Sequence, residues 1–360
     1  MNKKILNREA NLELLRAIAM LMVVIMHALG HGGVLEQLRF GSLQYFLFWL
    51  LSTLCQVAVP CFVLISGYFL IESDFKPSRI VRLLIQVLFY SIISALFRMT
   101  FLDKQISLSV VLHGFFPITS GEYWFITQYC ILLVISPLLN RIAHQLTESE
   151  YRRTILYLSL LYSIIPTFLF WSRSFFSDGY DLAWFILLYF IAGYMRRFGK
   201  RIARGGCWYL LISLFGVGTR VSIGLLANRL TGSYAGAGLF YGGNSILMLI
   251  SSVSLFSVFL DIKIINVNYN HIINRLASCS IGVYLFHNST AIREVLWGRL
   301  NPPKYIQNFL YEFFWILVIS VAIYCFGCLI EAFRQFIFMR LFNEQKLLDK
   351  VDTVYKNHNQ

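Results

Sequence analysis

Apolar residues run through this chain in long blocks, not in the strict alternation of a half-buried strand, and short polar segments separate one block from the next. A block of about 20 apolar residues is the length that carries an α-helix across the hydrocarbon of a bilayer. Ten such stretches are legible, at 12–31, 43–71, 80–101, 123–140, 154–172, 182–196, 207–228, 239–261, 278–297 and 309–333. The second and tenth are long enough to tilt or to run into the interface, and the sixth is short. The pattern predicts an all-α, polytopic membrane bundle over residues 1–333 and a short polar tail over 334–360. The tail, ending Asp349-Lys350-Val351-Asp352-Thr353-Val354-Tyr355-Lys356, reads as an amphipathic cytoplasmic helix that frays. No polar segment is long enough for a separate soluble domain, so any chemistry must be built inside the bundle.

Composition agrees with the pattern: of 360 residues, 58% are hydrophobic and only 14% charged, with a mean hydropathy of +0.64, outside the range of soluble domains. The net charge of +13 would suit nucleic acid, but that needs a basic patch on a folded soluble face. Here Lys and Arg sit in short clusters between apolar blocks. Alternating the ten stretches across a bilayer puts 21 of them on one side and 8 on the other, with Arg16 and Arg220 inside stretches. That excess marks the cytoplasmic side, so both termini are expected there. Lys3, Lys4 and Arg8 resemble the start of a signal peptide, but no small-residue cleavage site follows, and the first block is read as an uncleaved helix. The seven cysteines lie mostly within apolar blocks. Cys325 and Cys328 have a C-x-x-C spacing without a second ligand pair and read as apolar filler, so neither a metal nor a disulfide is expected.

The first block carries the candidate chemistry. Arg16 and His27 are eleven residues apart; at about 100° and ~1.5 Å per helical residue they share one face within about 20° and stand ~16 Å apart. Ionisable groups within a span are costly and turn toward a cavity or a partner. In the expected orientation Arg16 stands at the cytoplasmic mouth and His27 deep toward the outer half, with His31 at the interface. One reading pairs Arg16 with Glu13 and leaves His27 as an interhelical hydrogen-bonding group. The other makes His27 a general base or acyl acceptor.

Further stretches add to this. Ser66 and Gly67 allow close backbone approach or a helix break. In Lys76-Pro77-Ser78-Arg79-Ile80-Val81-Arg82, Ser78 is placed to cap a helix. Arg79 and Arg82 share a face there, as a topology anchor or a phosphate clamp. Glu122-Tyr123-Trp124-Phe125 opens the fourth stretch with aromatics that ordinarily mark an interface. Ser280, Tyr284 and His287, at i, i+4 and i+7, share one face of the ninth stretch, and such a stripe alone is an interhelical hydrogen-bond seam. Arg220 has no obvious partner in sequence and is read as a cavity or ion-pair residue.

Taken together and in order, these motifs resemble the membrane-bound acyltransferase 3 family, the bacterial O-acyltransferases of cell-surface glycans. Arg16 through His27 is similar to its R-x10-H, Phe62 through Tyr68 to its F-x-x-x-S-G-Y, Arg79 through Arg82 to its R-x-x-R, and Ser280 through His287 to its S-x-x-x-Y-x-x-H. The resemblance implies transfer of an acyl group, usually acetyl from cytoplasmic acetyl-CoA, to a sugar hydroxyl at the bacterial inner membrane. It implies that His27 is essential and that the arginines serve the CoA side. CoA phosphates are then expected on Arg16, Arg79 and Arg82, with the thioester reaching His27. Ser66, Gly67, Trp124, Ser280, Tyr284 and His287 are expected to support the site or the substrate. Larger relatives carry an added extracytoplasmic hydrolase-like domain; without one, the acceptor must reach the membrane pore itself, as a lipid-linked or polymeric saccharide, with polysaccharide-assembly proteins as neighbours. A transporter or flippase without covalent chemistry fits ten helices and a basic mouth as well, and a membrane sensor or scaffold is a third class.

Overall fold

The computed structural model describes residues 9–102, 114–118, 121–169, 177–234, 236–238, 240–264, 266–300, 309–341 and 343–358. Lys3, Lys4 and Arg8 of the basic N-terminus lie outside these residues, as do the last three positions of the fifth expected stretch. Among the described residues the regular elements are helices, and no strand occurs.

Helix α1 is Ala10–Gly30, α2 Leu43–Cys55, α3 Ala58–Leu70, α4 Pro77–Phe101 and α5 Trp124–Gln145. Helix α6, Glu148–Ser159, continues through a π turn at Leu160–Ile164 into Ile165–Phe168. Then follow α7 Leu182–Phe198, α8 Gly205–Thr231, α9 Ile246–Asp261, α10 Val267–Ser278, α11 Ser280–Asn288, α12 Thr290–Leu300, α13 Phe309–Leu341 and α14 Glu344–His358.

Among the described residues, six helices are long and apolar enough to cross a membrane: α1, α2 with α3, α4, α5, α8 and α13. The other four expected stretches fall short for visible reasons. Helix α7 has 17 residues and α9 has 16. Helix α9 starts at Ile246 rather than near 239 because Ser245 caps it, its hydroxyl accepting from the Met248 N–H at 3.2 Å. The fifth stretch is divided at Pro166, which cannot donate to the preceding turn, and the backbone widens into the π turn there. The ninth, read as one helix over 278–297, is three pieces, broken at Cys279 and again at Ser289, where the backbone turns extended.

A second break divides the long second stretch. Pro60 has no N–H to offer the Gln56 carbonyl, and the helix is interrupted at Gln56 and Val57 between α2 and α3. Pro137 leaves the same deficit inside α5, but there the Ser136 hydroxyl donates to the freed Leu133 carbonyl at 2.8 Å and the helix runs on.

Helix α1 is the hub: it packs against α2, α3, α9, α10, α11 and α13, with Leu12, Leu15, Ala19, Val24, Ala28 and Leu29 fully buried. Close approaches elsewhere rest on small residues, as membrane helices require. A Cβ added at Gly67 would stand 2.9 Å from the Tyr189 Cα, so glycine there seats α3 on α7. Gly205 of α8 meets the backbone of Ser254, one of four fully buried serines on α9.

Two polar locks hold the bundle together. Glu331 of α13, fully buried, accepts from Arg334 at 2.8 and 3.0 Å, from Gln335 at 2.9 Å and from the Tyr90 hydroxyl of α4 at 2.9 Å. The second lock corrects the expectation for Ser78. Helix α4 begins at Pro77, so Ser78 lies within its first turn and no side chain of α4 caps it. The cap is Asp352 of α14, whose carboxylate accepts from the Ser78 N–H at 3.0 Å and from its hydroxyl at 2.8 Å. The tail is thus a helix docked on α4, with Phe75 edge-on to Tyr355 at 5.4 Å.

Candidate active site

His27 lies three residues from the C-terminal end of α1, and the fully buried His287 lies one residue from the end of α11. The packing of α1 on α11 brings His27 Nδ1 to 2.9 Å from His287 Nε2. His287 Nδ1 is in turn 2.6 Å from the Val283 carbonyl, one helical turn back. A carbonyl oxygen only accepts, so Nδ1 of His287 carries a proton. With both rings neutral, His287 Nε2 then accepts from His27 Nδ1–H, and the lone pair of His27 is left on Nε2. This is the wiring of a general base: one nitrogen tied to an orienting group, the other free to meet a substrate.

The space it meets is a cavity of about 820 Å³. His27 and His31 line it with Gln56, Glu122, Trp124, Asp178, Tyr180, Asn288 and Arg293 among others. Both helix breaks border this cavity, through Gln56 and Pro60 on one side and Asn288 and Thr290 on the other. Irregular backbone at membrane depth is tolerated where it lines a polar cavity, which is the use made of it here. Trp124, at the first position of α5, stands edge-on to Tyr180 at 4.4 Å. Glu122 accepts from the Thr290 N–H at the start of α12, 3.1 Å away, and Asp178 accepts from the Gly243 N–H at 3.0 Å, joining the loops ahead of α7 and α9. Asp178 takes a left-handed backbone with φ of 48° in doing so. At the rim, partial burial and then the Arg293 guanidinium hold His31 below the ordinary histidine range.

Of the expected site residues, His27, His287 and Trp124 come together here. Tyr284 does not line the cavity; it packs edge-on against Tyr123, Phe125 and His287. Ser280 is buried at the start of α11, also away from it. Ser66 donates to the Phe62 carbonyl at 2.8 Å and lies 3.3 Å from the Tyr129 hydroxyl, a packing role beside that of Gly67.

The arginines stand elsewhere. Arg16 pairs with Glu13 at 2.7 Å, Arg79 donates to Ser73 at 3.1 Å, and Arg82 faces α14, 3.3 Å from Gln345 and 3.6 Å from Glu344. None of the three lines the His27 cavity. Arg220 is neither a cavity residue nor ion-paired among the described residues: it stacks on Trp49, 3.2 Å from the ring centre, and donates to the Tyr45 hydroxyl at 3.1 Å.

Sequence reasoning missed Glu122, Asp178, Tyr180, Asn288 and Arg293 on the cavity wall, and Arg196 near the start of α1. Arg196 donates to Glu9 at 2.9 Å and to the Tyr68 hydroxyl at 3.1 Å and lies over the Tyr68 ring. The available signals were the Asp178-Gly179 turn, the Gly242-Gly243 pair and Glu122 two positions before Trp124; the arginines registered only as topology charges.

An all-helical bundle with six helices long and apolar enough to cross a membrane, and an oriented imidazole lining a polar, aromatic cavity, is an arrangement suited to group transfer within a membrane. A family model described as "Acyltransferase domain" matches residues 9–330, and the chain belongs to the acyltransferase 3 family. Neither a curated relative nor a solved structure matches the chain.

Proposed function

We propose that this acyltransferase moves an acetyl group from acetyl-CoA to a hydroxyl of a lipid-linked or polymeric saccharide at the bacterial inner membrane, with His27 as the catalytic residue. The observation that carries the reading is the 2.9 Å contact of His27 with His287, which leaves Nε2 of His27 to the cavity. In direct transfer, Nε2 removes the acceptor hydroxyl proton as the oxygen attacks the thioester carbonyl. The adduct collapses, the carbon–sulfur bond breaks, and the departing thiolate takes the proton from His27. In a two-step route Nε2 itself attacks the thioester and expels the thiolate, and the acceptor oxygen then displaces the imidazole from the acyl group, its hydroxyl proton passing to the thiolate.

Trp124 and Tyr180 offer faces for sugar rings, and Gln56, Asn288, Glu122 and Asp178 offer hydrogen-bonding groups, a lining suited to a polyhydroxylated acceptor. The donor side of the reading assigns the CoA phosphates to Arg16, Arg79 and Arg82, whose guanidinium forks suit phosphate oxygens. Arg82 then exchanges Glu344 and Gln345 for the ligand. The reading includes ten crossings with both termini in the cytoplasm, supported by the division of Lys and Arg into 21 and 8.

The test is incubation of membranes holding the protein with radiolabelled acetyl-CoA. Label entering lipid-linked or polymeric glycan only when His27 is intact supports the reading, and label entering with His27→Ala overturns it. Movement of unlabelled saccharide across the bilayer without acetylation establishes a transporter instead.

A further inference from the structure

Past His31 the cavity is bordered by a second one of about 350 Å³, lined by His31, Thr290, Arg293, Glu294, Trp297 and Gly298. His31, Thr290 and Arg293 line both. The guanidinium of Arg293, half-buried at this junction, makes no hydrogen bond and no ion pair among the described residues. The nearby acids do not serve it. Glu122 is engaged with the Thr290 N–H and Asp178 with the Gly243 N–H, while Glu294, the adjacent helical residue, lines the second cavity too but forms no ion pair with Arg293. A guanidinium held in a cavity wall without a direct ion-pair partner has lost part of its hydration with no contact made in exchange, so an oxyanion brought to it gains more than it would at an open surface. Trp297, one helical turn along α12 from Arg293, lines the second cavity as well.

We propose that Arg293 is the specificity residue of the acceptor site. It binds an oxyanion carried by the saccharide, the carboxylate of a uronic acid or the phosphate of a phosphorylated sugar, and so selects anionic acceptors over neutral ones. The proposal rests on reading the His27 cavity as the acceptor site. Its two oxyanion sources share one chemistry, a pair of oxygens that the planar fork of Arg293 engages together.

The test measures binding without donor, so it is independent of acyl transfer. The full chain in lipid nanodiscs is titrated calorimetrically into the millimolar range with N-acetylglucosamine, glucuronic acid or N-acetylglucosamine 1-phosphate. At least one anionic probe binds about tenfold more tightly than the neutral sugar, in keeping with a charge-assisted contact. The Arg293→Gln variant loses that ratio, and Arg293→Lys keeps its order at a smaller ratio. Whichever anionic probe leads identifies carboxylate or phosphate as the natural group. Equal binding of all three probes, binding of none, or an unchanged ratio in a folded Arg293→Gln overturns the proposal. Labelled acetyl transfer to neutral glycans with equal efficiency overturns it while leaving the acyltransfer reading intact, and anion-selective binding without any acetyl transfer does the reverse.

Discussion

Nδ1 of His27 lies 2.9 Å from Nε2 of His287, on a helix more than 250 residues further along the chain. The contact fixes which nitrogen of His27 is free, and it brings the ninth apolar stretch to the candidate active site. Replacing His27 with Ala is expected to lower acetyl transfer by about 10²–10⁴-fold, the scale of a lost general base, with the protein still inserted and monodisperse. Radiolabel incorporation with size-exclusion chromatography of the same preparation checks this.

His287 acts through His27, so its variants separate wiring from packing. His287→Ala removes the acceptor for Nδ1–H and lets the His27 ring turn, with an expected loss of roughly 10²-fold, mainly in kcat. His287→Gln, whose side-chain oxygen can still accept, recovers part of that loss. Equal rates in the two variants exclude the orienting role.

The arginine assignments are tested by the donor dependence. Arg79→Ala combined with Arg82→Ala is expected to raise the apparent KM for acetyl-CoA by about tenfold or more, with kcat little changed, as for lost charge-assisted contacts to phosphate. An unchanged KM removes both residues from the donor site.

Gly67 seats α3 on α7 and does not line the His27 cavity. Gly67→Val forces a side chain against the Tyr189 backbone, at an expected cost of about 1–3 kcal/mol. The loss reads out as a lower midpoint in thermal unfolding of the detergent-solubilised protein.

The Glu331 cluster behaves oppositely to an exposed ion pair. Arg334→Met strands a buried carboxylate with only Tyr90 and Gln335 for support, at an expected cost of about 3–5 kcal/mol. Joining it to Glu331→Leu restores much of that loss, because no buried charge is then left unpaired. Thermal unfolding of the single and double variants gives the comparison.

What was legible in the sequence was set by distance along the chain. The helical class, the outlines of most helices and the alignment of Arg16 with His27 on α1 follow from local periodicity. The breaks at Gln56 and Ser289 are harder: the proline near the first and the polar run His287-Asn288-Ser289-Thr290 at the second are visible, but neither says that the helix ends there. That concealed the very places where the cavity opens. Arg293, Glu122 and Asp178 carry no local pattern that separates a cavity wall from a loop, and only the packing of α1, α5, α11 and α12 gathers them. The Arg79 and Arg82 face was legible, whereas its cover, α14, was not, because tail polarity says nothing of where a helix docks.

The cap of α4 has a consequence for the order in which the protein is assembled. Its first turn, beginning at Pro77, is closed by Asp352, 274 residues downstream of Ser78. While the chain is being made, the fourth helix therefore enters the membrane with those donors open, and they are closed only once Asp352 has been synthesised. Docking of α14 thus follows insertion of the long apolar helices. A chain shortened before Asp352 keeps every long apolar helix and still lacks that closing step, so such truncations are expected to insert normally and then to be cleared faster by membrane proteolysis than the full chain.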